Sequence, residues 1–144
     1  MERQNYHTSI TAPVAAKDAY AGIADVSAWW AKNFEGSALK LGDKFTVRFG
    51  DTWVDFAITE AIPGKKSVWT VTDCHLPWLE DKKEWNGTYV VWDLEPHGSA
   101  TQINMTHVGL TPEVPCYQDC KKGWTGHIQG SLLNLLSGGK GSPE

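Results

Sequence analysis

Apolar residues recur at every second position through most of residues 39–108, then at every third or fourth position from 114 to 137. This change of period constrains the chain more than any other feature. A two-residue repeat gives a strand one apolar face, whereas a repeat near 3.6 gives a helix one apolar stripe. Residues 44–49 alternate cleanly, with Phe45, Val47 and Phe49 on one side and Lys44, Thr46 and Arg48 on the other. Runs over 53–62, 67–73, 88–95 and 101–108 do the same, aligning Val54, Phe56 and Ile58, then Trp69 and Val71, then Val90, Trp92 and Leu94, then Ile103, Met105 and His107. Gly50-Asp51, Pro63-Gly64, Asn86-Gly87 and Pro96-His97-Gly98 supply turns between them, so an antiparallel meander is the expected topology.

A short strand over 6–11 comes first, and Thr11 and Pro13 then suit the start of an alanine-rich helix over 14–24. Asp25-Val26-Ser27 permits a second short helix that carries Trp29-Trp30. The final helix, 114–137, has the apolar line Tyr117, Cys120, Trp124, Ile128, Leu132 and Leu135, and Gly138-Gly139 stops it. The expected fold is α+β, one domain over residues 1–144. A curved antiparallel sheet of about six strands wraps around a long C-terminal helix, with two short helices between strands 1 and 2. Phe45, Phe56, Trp69, Trp92, Ile103 and Trp124 are expected to face the interior.

A chain of 144 residues buries a core without help from disulfides or metals. Its formal charge of −4 and scattered lysines exclude the basic footprint of a nucleic-acid or anionic-membrane binder. Three cysteines, Cys74, Cys116 and Cys120, show no framework spacing, and the N-terminal residues have no apolar signal-peptide core. No run approaches a membrane span. A reduced, cytoplasmic protein is expected.

The tryptophans bear on function. There are eight, and Trp69, Trp92 and Trp124 all point to the space between sheet and final helix. Each is large and carries an N–H that wants a partner, so several together imply a roomy interior with polar handles.

Several motifs resemble a known family: Trp29-Trp30, Gly42-Asp43 before a strand, and Phe56-x-Ile58-Thr59-Glu60-x-x-Pro63. Val68-Trp69-x-Val71, Glu84-Trp85-x-Gly87-Thr88, Thr106-His107-x-Gly109-Leu110, and Cys116-Tyr117 followed by Gly123-Trp124 extend the likeness over the whole chain. The sequence resembles the START-like, or SRPBCC, superfamily of helix-grip folds, which includes polyketide cyclases. Within it the sequence is similar to the branch related to the C-terminal domain of the activator of the heat-shock-protein-90 ATPase. This resemblance implies a sheet gripping a helix, and a superfamily that binds lipids, sterols, polyketides and hormones through few shared site residues.

The expected function is binding of a small, lipid-like or aromatic ligand in an apolar cavity, with Trp69, Trp92, Met105, His107, Tyr117, Cys120 and Trp124 lining it. His107 reads in two ways: as a ligand-binding or acid–base group, or as a core histidine satisfied by backbone or by a tryptophan N–H. The first reading gives an alternative, a polyketide cyclase- or hydrolase-like enzyme using His107. No inward carboxylate accompanies it, and no Ser-His-Asp spacing, phosphate loop or dinucleotide fingerprint appears, so no catalytic residue and no cofactor are expected. Cys116 near a helix start has the position of a reactive thiol, but packing is the expected role of Cys116 and Cys120. Without Cys-x-x-Cys or His-x-x-x-His spacing no metal is expected either. A third alternative is a chaperone partner docking on Trp78 and Trp85, in the loop 74–87 with Glu80-Asp81, although Trp85 also suits pinning that loop to the sheet. The chain is expected to be a monomer or a homodimer.

Overall fold

The alternating runs form the strands of an antiparallel sheet, and the computed structural model describes residues 5–77, 79, 82–111 and 117–143. Strand β1 (Tyr6–Ala12) is followed by helices α1 (Ala16–Ala24) and α2 (Val26–Trp29). Strands β2 (Asn33–Gly36), β3 (Lys44–Phe49), β4 (Thr52–Ile62), β5 (Lys66–His75), β6 (Tyr89–His97) and β7 (Ala100–Val108) then run as a meander. The sheet has seven strands in the order β1-β7-β6-β5-β4-β3-β2. Helix α3 (Tyr117–Thr125), a π-helical stretch (Gly126–Leu132) and α4 (Leu133–Leu136) make one continuous C-terminal helix. Trp78, Glu80, Asp81, Cys116 and the expected helix start at Val114 lie outside the described residues.

Strand β2 accounts for the difference between about six expected strands and the seven observed. It is a four-residue edge strand with Phe34 as its one large apolar side chain, too short to show a period. Its register against β3 holds through Gly36, whose φ is 102° and where a Cβ would strike the backbone carbonyl of Lys44. Thr11 does not cap a helix. Pairing with β7 runs from Tyr6↔His107 to Ala12↔Thr101 and keeps Thr11 in the strand, so α1 starts at Ala16 with no side-chain cap. The β4–β5 pairing shifts register at Asp55/Phe56 and Ile58/Glu60, irregularities of the kind that bend a strand.

One face of the sheet holds the core. Phe45, Phe56, Trp69, Trp92, Ile103 and Trp124 are all buried, as their phase requires. The buried apolar residues of the final helix are Cys120, Trp124, Ile128, Leu132 and Leu136, at every fourth position. In a plain α-helix such a repeat drifts by about 40° per step. The wider π turns from Gly126 to Leu132 take up that drift, which is why Leu136 is buried and Leu135 only half-buried. Helix α1 covers the other end, packing on α4 and on β6 and β7.

Candidate functional site

Most of the sheet–helix interface is filled with rings. Trp69 stands edge-on to Phe45 (centroids 5.0 Å apart, 79°) and Phe56 (5.7 Å, 65°), and lies 5.2 Å from Trp92. Trp29 meets Trp92 edge-on at 5.8 Å. Trp29 donates its indole N–H to the carbonyl of Ile23 (3.1 Å). The indole nitrogens of Trp69 and Trp92 are buried with no hydrogen-bond partner among the described residues. Met105 is as deeply buried, on the neighbouring strand. Trp69, Trp92 and Met105 therefore form closed core.

His107 belongs to the same closed region, with 0 % of its surface exposed. Trp124 donates its indole N–H to Nδ1 (3.1 Å). An indole N–H can only donate, so Nδ1 is the unprotonated acceptor and the proton sits on Nε2. Nε2–H then donates to the hydroxyl of Thr88 (2.9 Å), and that hydroxyl donates to the carbonyl of Trp85 (2.7 Å). Burial pushes the imidazole pKa from 6.5 down to about 3, so the ring is neutral. This is the satisfied core histidine of the second sequence reading. Its work is to tie the C-terminal helix, β7 and the loop before β6 together.

That loop brings Trp85 inward. The ring stacks on Trp124 (6.1 Å, 8°) and meets His107 edge-on at 4.7 Å, and the residue is buried. Trp85 pins the loop to the sheet, as one sequence reading expected.

Beyond these rings the interface opens into a cleft of about 370 Å³. Trp30, at the C-cap of α2, lines it, 4.8 Å from Trp124, 5.8 Å from Phe49 and 6.5 Å from the ring of His127. The end of β3 supplies Phe49, β4 supplies Thr52 and Val54, and Leu76 follows β5. Helix α3 contributes Asp119, Cys120, Gly123 and Trp124, and the first π turn adds His127. Gly123 leaves room on the α3 side of the cleft, where a Cβ built on it meets nothing within 4 Å. Among the described residues no group of His, Cys, Asp or Glu side chains assembles as metal ligands.

Of the residues expected from sequence, Cys120 and Trp124 line this cleft. Trp69, Trp92, Met105 and His107 lie in the closed core behind it; Trp69 stacks on Trp30 (6.2 Å, 11°) and His107 bonds Trp124. Tyr117 is half-buried one turn before Cys120, with the Lys121 ammonium 5.8 Å from its ring centre. Sequence reasoning missed Trp30, Phe49, Asp119, Gly123 and His127 as cleft residues. Trp29-Trp30 was a visible signal, because two adjacent tryptophans on a short helix need somewhere to go. Gly123 inside an otherwise periodic helix was another.

The family described as activator of Hsp90 ATPase homolog 1-like protein matches residues 18–137. The chain belongs to that family. Solved structures agree on the fold. The Aha1 dimer from Colwellia psychrerythraea is 22% identical with a TM-score of 0.77, covering 96% of this chain and 99% of that one. A protein from Staphylococcus saprophyticus is 14% identical at a TM-score of 0.71, covering 97% and 98%. CalU16 from Micromonospora echinospora is 13% identical at a TM-score of 0.65, covering 90% and 73%. Comparison with curated proteins gives no match. No helix among the described residues is long and apolar enough to cross a membrane.

Proposed function

We propose that the protein binds a small apolar or aromatic molecule in the cleft that Trp30 lines. The observation that carries this reading is an open, aromatic-walled concavity of about 370 Å³ beside a core that is otherwise closed. Its size falls within the range of ligand pockets, roughly 300–1,000 Å³. Trp30, Cys120 and Trp124 would touch the ligand, while Trp69, Trp92, Met105 and His107 hold those walls from behind and Tyr117 flanks the helix start.

Gly123→Leu tests the reading. A Cβ there meets nothing within 4 Å and leucine favours the helix, so the variant should fold with bulk added to the cleft wall. Native mass spectrometry and tryptophan quenching against a panel of lipids and aromatic metabolites should show binding by the parent chain and its loss in Gly123→Leu. Equal binding by both proteins, or none by either, would sink the proposal.

The geometry weighs against the alternatives. Acid–base catalysis by His107 needs a ring nitrogen that reaches substrate, and both are engaged inside the core. Family membership supports a chaperone-docking role, but Trp85, one of its two expected anchors, is turned inward. For assembly, the dimer of the Colwellia relative favours the homodimer over the monomer.

A further inference from the structure

Walls of indole and phenyl rings accept many ligands, so charge must narrow the choice. Asp119 is the one carboxylate on the cleft, and no lysine or arginine lines it among the described residues. The cations nearest in sequence are turned elsewhere. Lys121 lies over the Tyr117 ring, and Lys122 borders an adjoining concavity that shares Gly123 and His127 with the cleft. Across the cleft, Lys82 reaches the carbonyl of Leu79 (3.5 Å) and Lys83 pairs with Asp73 (2.9 Å). The remaining polar groups of the wall are on Thr52, Cys120 and His127.

Trp30, Phe49, Trp85 and Trp124 add to the same bias. Aromatic faces are negative and attract a positive nitrogen, tryptophan most strongly. The net charge of −4 adds a weak general field of the same sign. A ligand carboxylate here would meet Asp119, and among the described residues no lysine or arginine lines the cleft to offset the repulsion.

We propose that this cleft selects a cationic aromatic amine, its ring system against Trp30 and Trp124 and its ammonium at Asp119. This rests on the ligand-binding reading above and fixes the chemical class of the ligand.

The test uses the full chain and three probes of nearly one shape: naphthylmethylamine, naphthylmethanol and naphthoate. Calorimetry at neutral pH and low salt should rank the amine first, about fivefold to tenfold tighter than the alcohol, with naphthoate last. Asp119 is exposed on its helix, so Asp119→Asn keeps the fold. That variant should lose the amine's advantage and leave the alcohol's affinity in place. Added salt should shrink the advantage in the parent chain and leave alcohol binding alone. Naphthoate binding as tightly as the amine, or an amine preference that survives Asp119→Asn, overturns the charge inference while alcohol binding still supports the cleft. Failure of all three probes, with Gly123→Leu indistinguishable from the parent chain, removes the ligand-binding reading and this one with it.

Discussion

Trp30 and Trp69 stack on each other, yet they belong to different kinds of interior. Trp69 is enclosed by Phe45, Phe56 and Trp92, and no solvent reaches it. Trp30 has Trp124, Phe49 and His127 around it and borders open space. The sheet face is equally apolar under both. What differs is the helix above. From Ile128 onward, Ile128, Leu132 and Leu136 fill the gap to the sheet, whereas α3 lines the cleft with Asp119, Cys120, Gly123 and Trp124. Gly123, next to the full-sized ring of Trp124, is where the helix leaves room.

The sharpest break of that contrast is truncation on each side. Trp92→Ala empties a site with no route to solvent and should cost about 3–5 kcal/mol. Phe49→Ala, at the half-buried rim, should cost roughly 1–2 kcal/mol, because water already reaches the ring. Urea denaturation of the two variants checks the order. Equal losses would mean that the cleft is packed shut in solution.

The second effect is set by pH and belongs to the closed side. Burial holds the His107 pKa at about 3, against 6.5 for a free imidazole. The unfolded chain binds a proton as pH falls through 6.5 and the folded chain does not. Stability is therefore full above that value and is lost progressively on the way down to about 3. The slope is about 1.4 kcal/mol per pH unit, so roughly 2–3 kcal/mol over two units below the upper limit. Asp43, held low by the backbone N–H of Lys40, and Asp73, held low by the Lys83 ammonium, lose their contributions only below 3.8. His107→Gln keeps an acceptor for Trp124 and a donor for Thr88 but does not titrate. Chemical denaturation across this window should show the slope in the parent chain and its absence in the variant.

The closed side was also the legible side. Phe45, Phe56, Trp69, Trp92 and Ile103 declared their phase through two-residue alternation, which is enough to say which face is inside. Alternation does not say what stands opposite. The path of α2 that brings Trp30 over the sheet, and the π turns that carry His127 to the cleft, depend on contacts far apart in sequence. His107 shows the limit well: its inward phase was readable, but the partners that settle its role, Trp124 and Thr88, come from other elements. Strand β2 was invisible for a simpler reason, since four residues cannot carry a period.

The smallest effect probes the open side directly. Gly123 lies within α3, where glycine costs about 1 kcal/mol of helix stability relative to alanine. A Cβ at this position meets nothing within 4 Å, so no clash offsets the gain. Gly123→Ala should therefore raise stability by about 0.5–1 kcal/mol, seen as a higher urea midpoint at unchanged slope. Gly123 lines the cleft, so naphthylmethanol should bind more weakly even as the fold grows firmer. A glycine that weakens its helix while opening a site against Trp30 follows the usual trade between stability and function. Should Gly123→Ala bind as well as the parent chain, the ligand does not sit against α3, and the room left by this glycine has another use.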